Sequence, residues 1–212
     1  MKSLLTACGR KIAFSQSNGD GTGIVFLGGF MSDMAGTKAL HLDAWCKKQK
    51  RPFLRFDYSG HGASSGSFTD GCIGDWAEDA QAAITNLTEG PQVLVGSSMG
   101  GWISLLIAKR VPERVAGLVT IAAAPDFTED GFWRNFNEDT RKQLNDDGVV
   151  KIPSEYGEPY PITKRLIEDG RLHLVLRKPL KLSTPARLLQ GDQDDDVSVE
   201  TVSYTHLTLP TT

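Results

Sequence analysis

"VLVGSSMGGW", residues Val93–Trp102, sets an apolar run directly against a burst of glycine and serine. A run of that length, stopped by small residues, reads as an interior strand, and residues 99–110 after it read as a helix. Gly96, Ser98 and Gly100 then stand at a strand-to-helix turn in the spacing Gly-x-Ser-x-Gly. A nucleophile elbow requires this context, because the turn forces the serine into an unfavourable backbone conformation and projects its hydroxyl from the sheet edge. Side chains at the two flanking positions would strike the strand or the helix, so glycine is favoured there. Gly101 extends the small patch and lets the helix pack close. The helix start also offers free N–H groups and the positive end of a dipole to a developing oxyanion. Ser98 is therefore the candidate nucleophile and Gly96 and Gly100 the elbow glycines. Ser97 occupies the variable position, and the plain alternative is a glycine-rich loop.

Short apolar runs alternate with helical spacing on both sides of this turn, which predicts an α/β protein with a largely parallel sheet and helices on both faces. "RKIAFSQS" and "GIVFLGG" flank "NGDGTG" and read as strand, turn, strand. Residues 35–50 space Leu40, Ala44 and Trp45 on one helical face, and "PFLRFDYSG" is the next strand. "CIGDWAEDAQAAITNL" follows as a helix on Ile73, Trp76, Ala80, Ala83, Ile84 and Leu87. "QVLVG", "VAGLVTIAAA" and, after a long interval, "ARLLQG" complete the strands. Residues 126–183 break the rhythm with more charge, aromatics, proline and glycine, and read as an insertion between two sheet strands.

At 212 residues with 40% hydrophobic content, the chain is long enough for one domain with a sizeable core. The net charge of −3 leaves no basic footprint for nucleic acid. Lys47, Lys48, Lys50 and Arg51 read as a solvated helix end. No stretch is long and apolar enough to span a membrane, and "MKSLLTACGR" is too short in apolar residues for a signal sequence. Cys8, Cys46 and Cys72 are odd in number and widely spaced, which fits reduced thiols in a cytoplasmic protein. His41, His61, His173 and His206 show no zinc spacing with the cysteines, so no metal is expected.

With the elbow, "GGFMSDMAGTKA" and "FLRFDYSGHGASSG", the chain resembles the α/β-hydrolases. More narrowly, it is similar to the branch containing the mitochondrial acyl-glucuronide esterase and palmitoyl-protein thioesterase and its bacterial relatives, from about residue 10 to residue 200. The resemblance implies an organellar matrix as an alternative location. It implies that the "FLGGF" loop points Phe30 N–H, with Met99 N–H, at the substrate oxygen as the oxyanion hole. His61, which precedes the serine, becomes a structural loop histidine. The family pattern Gly-x-x-Asp-x-x-Val falls on Gly191, Asp194 and Val197 in "LLQGDQDDDVS", which makes Asp194 the acid that orients the catalytic imidazole. A dinucleotide reading of Gly60-x-Gly62 fails because Ser65 takes the third glycine's place, and a calcium reading at Asp192 fails because Val197 stands where glycine is needed.

The resemblance further divides the chain into a core, 1–125 and 184–200, a lid insertion, 126–183, and an atypical tail, 201–212. In the lid, Phe132, Trp133 and Phe136 share a helical face, and "RLHLVL" adds Leu172, Leu174 and Leu176. They read either as an apolar wall for an acyl chain or as lid residues packing on the body. The expected activity is hydrolysis of a small-molecule or acyl-protein ester or thioester through an acyl-enzyme on Ser98, with no cofactor. The triad histidine should lie after one more helix and strand, yet His206 follows Asp194 by only twelve residues. The threonine-rich tail reads as a replacement for that region, so the chain as written is expected to be nearly inactive. The alternatives are a non-catalytic binding protein on the same fold, or another chemistry of the same triad such as carbon–carbon bond hydrolysis.

Overall fold

The computed structural model describes residues 2–153, 158–182 and 184–191. Asp194, Val197 and His206, and with them the expected acid and tail, lie outside the described residues.

Seven strands form one sheet in the order β1-β2-β4-β3-β5-β6-β9. Its two edge pairings, β1 (Lys2–Leu5) on β2 (Lys11–Ser17) and β2 on β4 (Phe53–Phe56), are antiparallel. The remaining strands, β4, β3 (Ile24–Leu27), β5 (Gln92–Ser97), β6 (Val115–Ile121) and β9 (Ala186–Leu189), run parallel. Parallel neighbours need crossover connections, and helices supply them. α1 (Thr37–Lys48) joins β3 to β4, α2 (Ile73–Leu87) joins β4 to β5, and α3 (Met99–Arg110) joins β5 to β6.

The core lies on both sheet faces. Val25, Leu27, Leu54 and Leu94 face α2 and α3, burying Trp76, Ala80, Ile84, Trp102 and Ile103. Ile24, Phe26, Phe53 and Val95 face α1, burying Ala39 and Cys46. β3 is buried at every position, as expected of a strand covered on both faces.

Three local expectations are corrected. The segments around "NGDGTG" are not a hairpin, because β4 pairs between β2 and β3. The parallel pairing of β3 with β4 and β5 outweighs the turn chemistry of a glycine-rich loop. The true hairpin is β1–β2, made from an N-terminus with little apolar patterning. In α1 the buried residues are Ala39, Asp43 and Cys46, whereas Leu40 and Trp45 are each 45% exposed and Ala44 is exposed. Asp43 is buried because Arg55 on β4 reaches it at 3.3 Å, so a polar residue occupies a core-facing position.

Between β6 and β9 the chain builds a π-helical turn (Thr128–Trp133), α4 (Glu138–Asp147), a two-stranded sheet of β7 (Val149–Ile152) and β8 (Tyr160–Thr163), and α5 (Lys164–Leu172). "RLHLVL" is not a uniform apolar face. Leu172 ends α5 and is 80% exposed, while Val175 is buried.

Candidate active site

Ser98 follows the last residue of β5 and precedes the first residue of α3, with φ 52° and ψ −117°. Positive φ in a non-glycine residue costs free energy and persists only where the surroundings fix it. They do so here: Ser98 N–H donates to Ile121 O at 3.0 Å, and Ser98 O accepts from Gly101 N–H at 2.9 Å and Ala124 N–H at 3.2 Å. The turn is thereby sewn to the end of β6.

The two elbow glycines are required by close approach. A Cβ at Gly96 would collide with the carbonyl oxygen of Gly100, and one at Gly100 with those of Leu27 and Gly28. The start of α3 thus presses against the end of β3, which brings the loop after β3 beside the serine. A Cβ built on Gly29 would lie 3.4 Å from Ser98 Cβ. Ser98 and Phe30 are both half-buried, whereas Met99 is fully buried. Among the described residues, neither Phe30 N–H nor Met99 N–H donates to any acceptor. Two unpaired donors therefore come from separate segments beside one strained serine.

The Phe30 ring is the hub of an aromatic cluster. Phe68 and Trp76 meet it from the body at centroid distances of 4.9 and 6.1 Å. Phe127, Phe132 and Tyr160 meet it from the segment between β6 and β9 at 5.4, 6.0 and 5.6 Å. Of the three aromatics singled out there, Phe132 reaches this hub directly and stacks on the buried Phe136. Trp133 faces the guanidinium groups of Arg171 and Arg141, whose centres lie 4.6 and 5.1 Å from its ring.

His61 is buried among Tyr58, Phe68 and Trp76, with Nδ1 3.1 Å from Ser59 O and Nε2 unpartnered. Burial lowers its pKa against the opposing pull of Ser59 O and the carboxylates of Asp57 and Asp79, so the ring is neutral and Nδ1–H donates to Ser59. His173 is half-buried just past the end of α5, beside Asp169 at 3.5 Å, and its carbonyl accepts from Trp102 Nε1 at 3.0 Å. It is a docking residue of the segment after β6 as much as a surface one. Burial raises the Asp169 pKa, but His173 and the Gly74 N–H at the start of α2 outweigh it and leave it lowered.

Sequence reasoning missed the residues that clamp the loops. Asp57 at the end of β4 accepts Met34 N–H at 2.6 Å and Ala63 N–H at 2.9 Å. Asp126, also at positive φ, accepts Val175 and Leu176 N–H at 2.8 and 2.9 Å. Burial raises the Asp126 pKa despite those donors. The signal Asp57 gives in sequence is an acid directly after an apolar strand, and Asp126 follows the apolar run "VAGLVTIAAA" after one proline.

A family model described as "alpha/beta hydrolase fold" matches residues 24–160. The chain belongs to this family. It is 39% identical over 191 residues to the palmitoyl-protein thioesterase ABHD10, mitochondrial, of Bos taurus, covering 88% of this chain and 61% of that protein. The chain thus spans about three fifths of the length of this curated relative. The structure of mouse alpha/beta hydrolase domain-containing protein 10 superposes with a TM-score of 0.89 at 32% identity, covering 98% of this chain and 84% of that one. Est1E from Butyrivibrio proteoclasticus, solved with ferulic acid, shares the fold at a TM-score of 0.83 and 17% identity, covering 100% of this chain and 89% of that one. Among the described residues, no group of three or more His, Cys, Asp and Glu side chains forms a metal site, and no helix is long and apolar enough to cross a membrane.

Proposed function

We propose that this chain carries the nucleophile of a serine hydrolase, which with its triad histidine in place cleaves carboxylic esters or thioesters through an acyl-enzyme on Ser98, and that without that histidine the chain as written is nearly inactive. One observation carries the proposal: a serine held at φ 52° between a parallel strand and a helix, with the unpaired N–H groups of Phe30 and Met99 beside it. An imidazole takes the Ser98 proton as Oγ attacks the acyl carbonyl, and Asp194 orients that imidazole. Phe30 N–H and Met99 N–H stabilise the oxyanion, which exists only in the transition state and tetrahedral intermediate, so their donation raises the rate rather than substrate affinity. Collapse of the intermediate expels the alcohol or thiol with the proton from the imidazole, and water then releases the acid. The chemistry uses no metal or organic cofactor.

In this reading residues 126–183 form the lid, and Phe132 and Phe136 with the Phe30 hub give the acyl group an apolar wall. The thioesterase relatives make an acyl thioester, small-molecule or protein-borne, the first substrate class to try.

A fluorophosphonate probe should label Ser98 in the folded full-length protein that carries the triad histidine and fail on Ser98→Ala. Hydrolysis of a p-nitrophenyl ester or acyl thioester should fall by roughly 10⁶ in the variant, the scale at which a triad serine acts. A folded full-length protein, with its triad histidine, that neither takes the probe nor hydrolyses any acyl substrate would refute the proposal and leave a binding protein on a hydrolase fold.

A further inference from the structure

We infer that Ser32 is a positioning residue for the oxyanion donor, fixing the direction of Phe30 N–H by holding the carbonyl of the same peptide. Ser32 makes two bonds to one acceptor: its Oγ donates to Gly29 O at 2.8 Å and its N–H donates to the same oxygen at 3.3 Å. The Gly29 carbonyl and the Phe30 N–H belong to one trans peptide unit, in which they point in opposite directions. Pinning the oxygen on one side therefore aims the hydrogen at the other.

The crowding around Gly29 shows what lies there. A Cβ on this residue would sit 3.5 Å from Ser32 Oγ, 3.4 Å from Ser98 Cβ and 3.5 Å from Ser97 O. The Gly29 Cα thus lies close both to the hydroxyl that holds its carbonyl and to Ser98.

Two further features show that the turn is built rather than slack. Met31, between the donor and Ser32, has φ 54°, the sign that the third residue of a type II β-turn closed by Gly29 and Ser32 takes. Beyond Ser32, Met34 is fixed on both sides, with its N–H on Asp57 and its carbonyl accepting from Arg55 Nη1 at 2.6 Å. Between Gly29 and Met34, the Ser32 hydroxyl is the side-chain group that reaches back to the donor peptide. Two bonds on Gly29 O also polarise that peptide and strengthen Phe30 N–H as a donor.

This inference rests on the hydrolase reading above, so its test separates the two. In the full-length protein that carries the triad histidine, the parent, Ser32→Ala and Ser32→Thr are compared for kcat and KM on a p-nitrophenyl ester, for the rate of fluorophosphonate labelling, for Tm, and for the Phe30 amide resonance in ¹H–¹⁵N spectra. Removing an oxyanion donor costs roughly 10²–10³ in rate, and misaiming one should cost about tenfold. Ser32→Ala should therefore lower kcat and labelling rate by about that factor with KM and Tm unchanged. Ser32→Thr, which keeps the hydroxyl, should restore most of the loss, and the Phe30 amide should move in the alanine variant alone. Parental kcat in Ser32→Ala overturns the inference and leaves the hydrolase reading intact. If none of the three proteins reacts, the hydrolase reading fails and the spectrum decides. An unmoved Phe30 amide overturns the positioning role, and a shift confined to Ser32→Ala upholds it.

Discussion

The elbow and the segment between β6 and β9 each carry a non-glycine residue at positive φ, the half-buried Ser98 and the buried Asp126, and they are held in opposite ways. Ser98 is fixed by main chain against main chain: its own N–H and C=O bond to β6 and α3, and glycines at 96 and 100 let backbones touch. Asp126 opens the other segment and is fixed by its side chain, whose two oxygens take the N–H groups of residues nearly fifty positions on. Side chains also link that segment to the body, through Asp169 on Gly74 N–H, Arg165 on Asp75, and Trp102 Nε1–H on His173 O. A site that must not move is built into the backbone packing. The segment after β6 shares the apolar core through Ile162, Leu166, Ile167 and Val175, and side-chain polar bonds add separate fastenings.

The sharpest way to break the comparison is at Gly100. Gly100→Ala drives a methyl group into the carbonyls of Leu27 and Gly28, neither of which can swing aside. We expect a loss of more than about 3 kcal/mol in urea unfolding, the range of severe single substitutions. Unchanged stability would show that the elbow is looser than its contacts imply.

Asp126→Ala comes next. It strands the N–H groups of Val175 and Leu176, at roughly 1–3 kcal/mol for each buried orphan. The loss should be local, read as faster tryptic cleavage after Arg177 with the elbow's amide exchange unaltered. Uniformly faster exchange would mean that the two regions unfold as one.

His61 sharpens the body side through pH. Its folded pKa is lowered, so it is neutral in both states at pH 8 and costs nothing there. Below about 6.5 the unfolded chain takes a proton that the folded chain refuses, so stability falls with decreasing pH by up to about 1.4 kcal/mol per unit until the folded pKa is reached. Urea midpoints at pH 7.5 and 5.5 measure the slope, and His61→Asn should flatten it. Parallel slopes would remove the histidine from the account.

Arg165→Ala should do least. Its partner Asp75 also pairs with Arg10 at 3.2 Å, and Arg165 itself is more than half exposed, so solvent screening leaves under about 1 kcal/mol. The small effect should vanish in 1 M salt. A large, salt-independent loss would make this pair a principal fastening.

How far the sequence could be read follows the same division. The strand–elbow–helix of residues 92–110 was legible because short-range sterics dictate glycine at 96 and 100 whatever surrounds them. The buried side of α2 was legible because Ile73, Trp76, Ala80, Ala83 and Ile84 recur at helical spacing and are all buried, although Leu87 is only half-buried and Ala77 and Asp79 join them. The buried face of α1 was not, since Asp43 is made a core residue by Arg55, twelve positions away. Nor was Ser32, whose use depends on which side of a peptide faces Ser98.

By itself, the sequence determined the class of fold, the serine and its turn, because apolar periodicity and the excluded volume of one methyl group act within a few residues. Tertiary structure alone decided that β4 separates β2 from β3, that Phe30 gathers aromatics from both regions, and that Asp57 and Asp126 clamp loops. Those outcomes are pairings between distant segments, settled by which buried N–H and C=O groups find partners when the chain closes on itself.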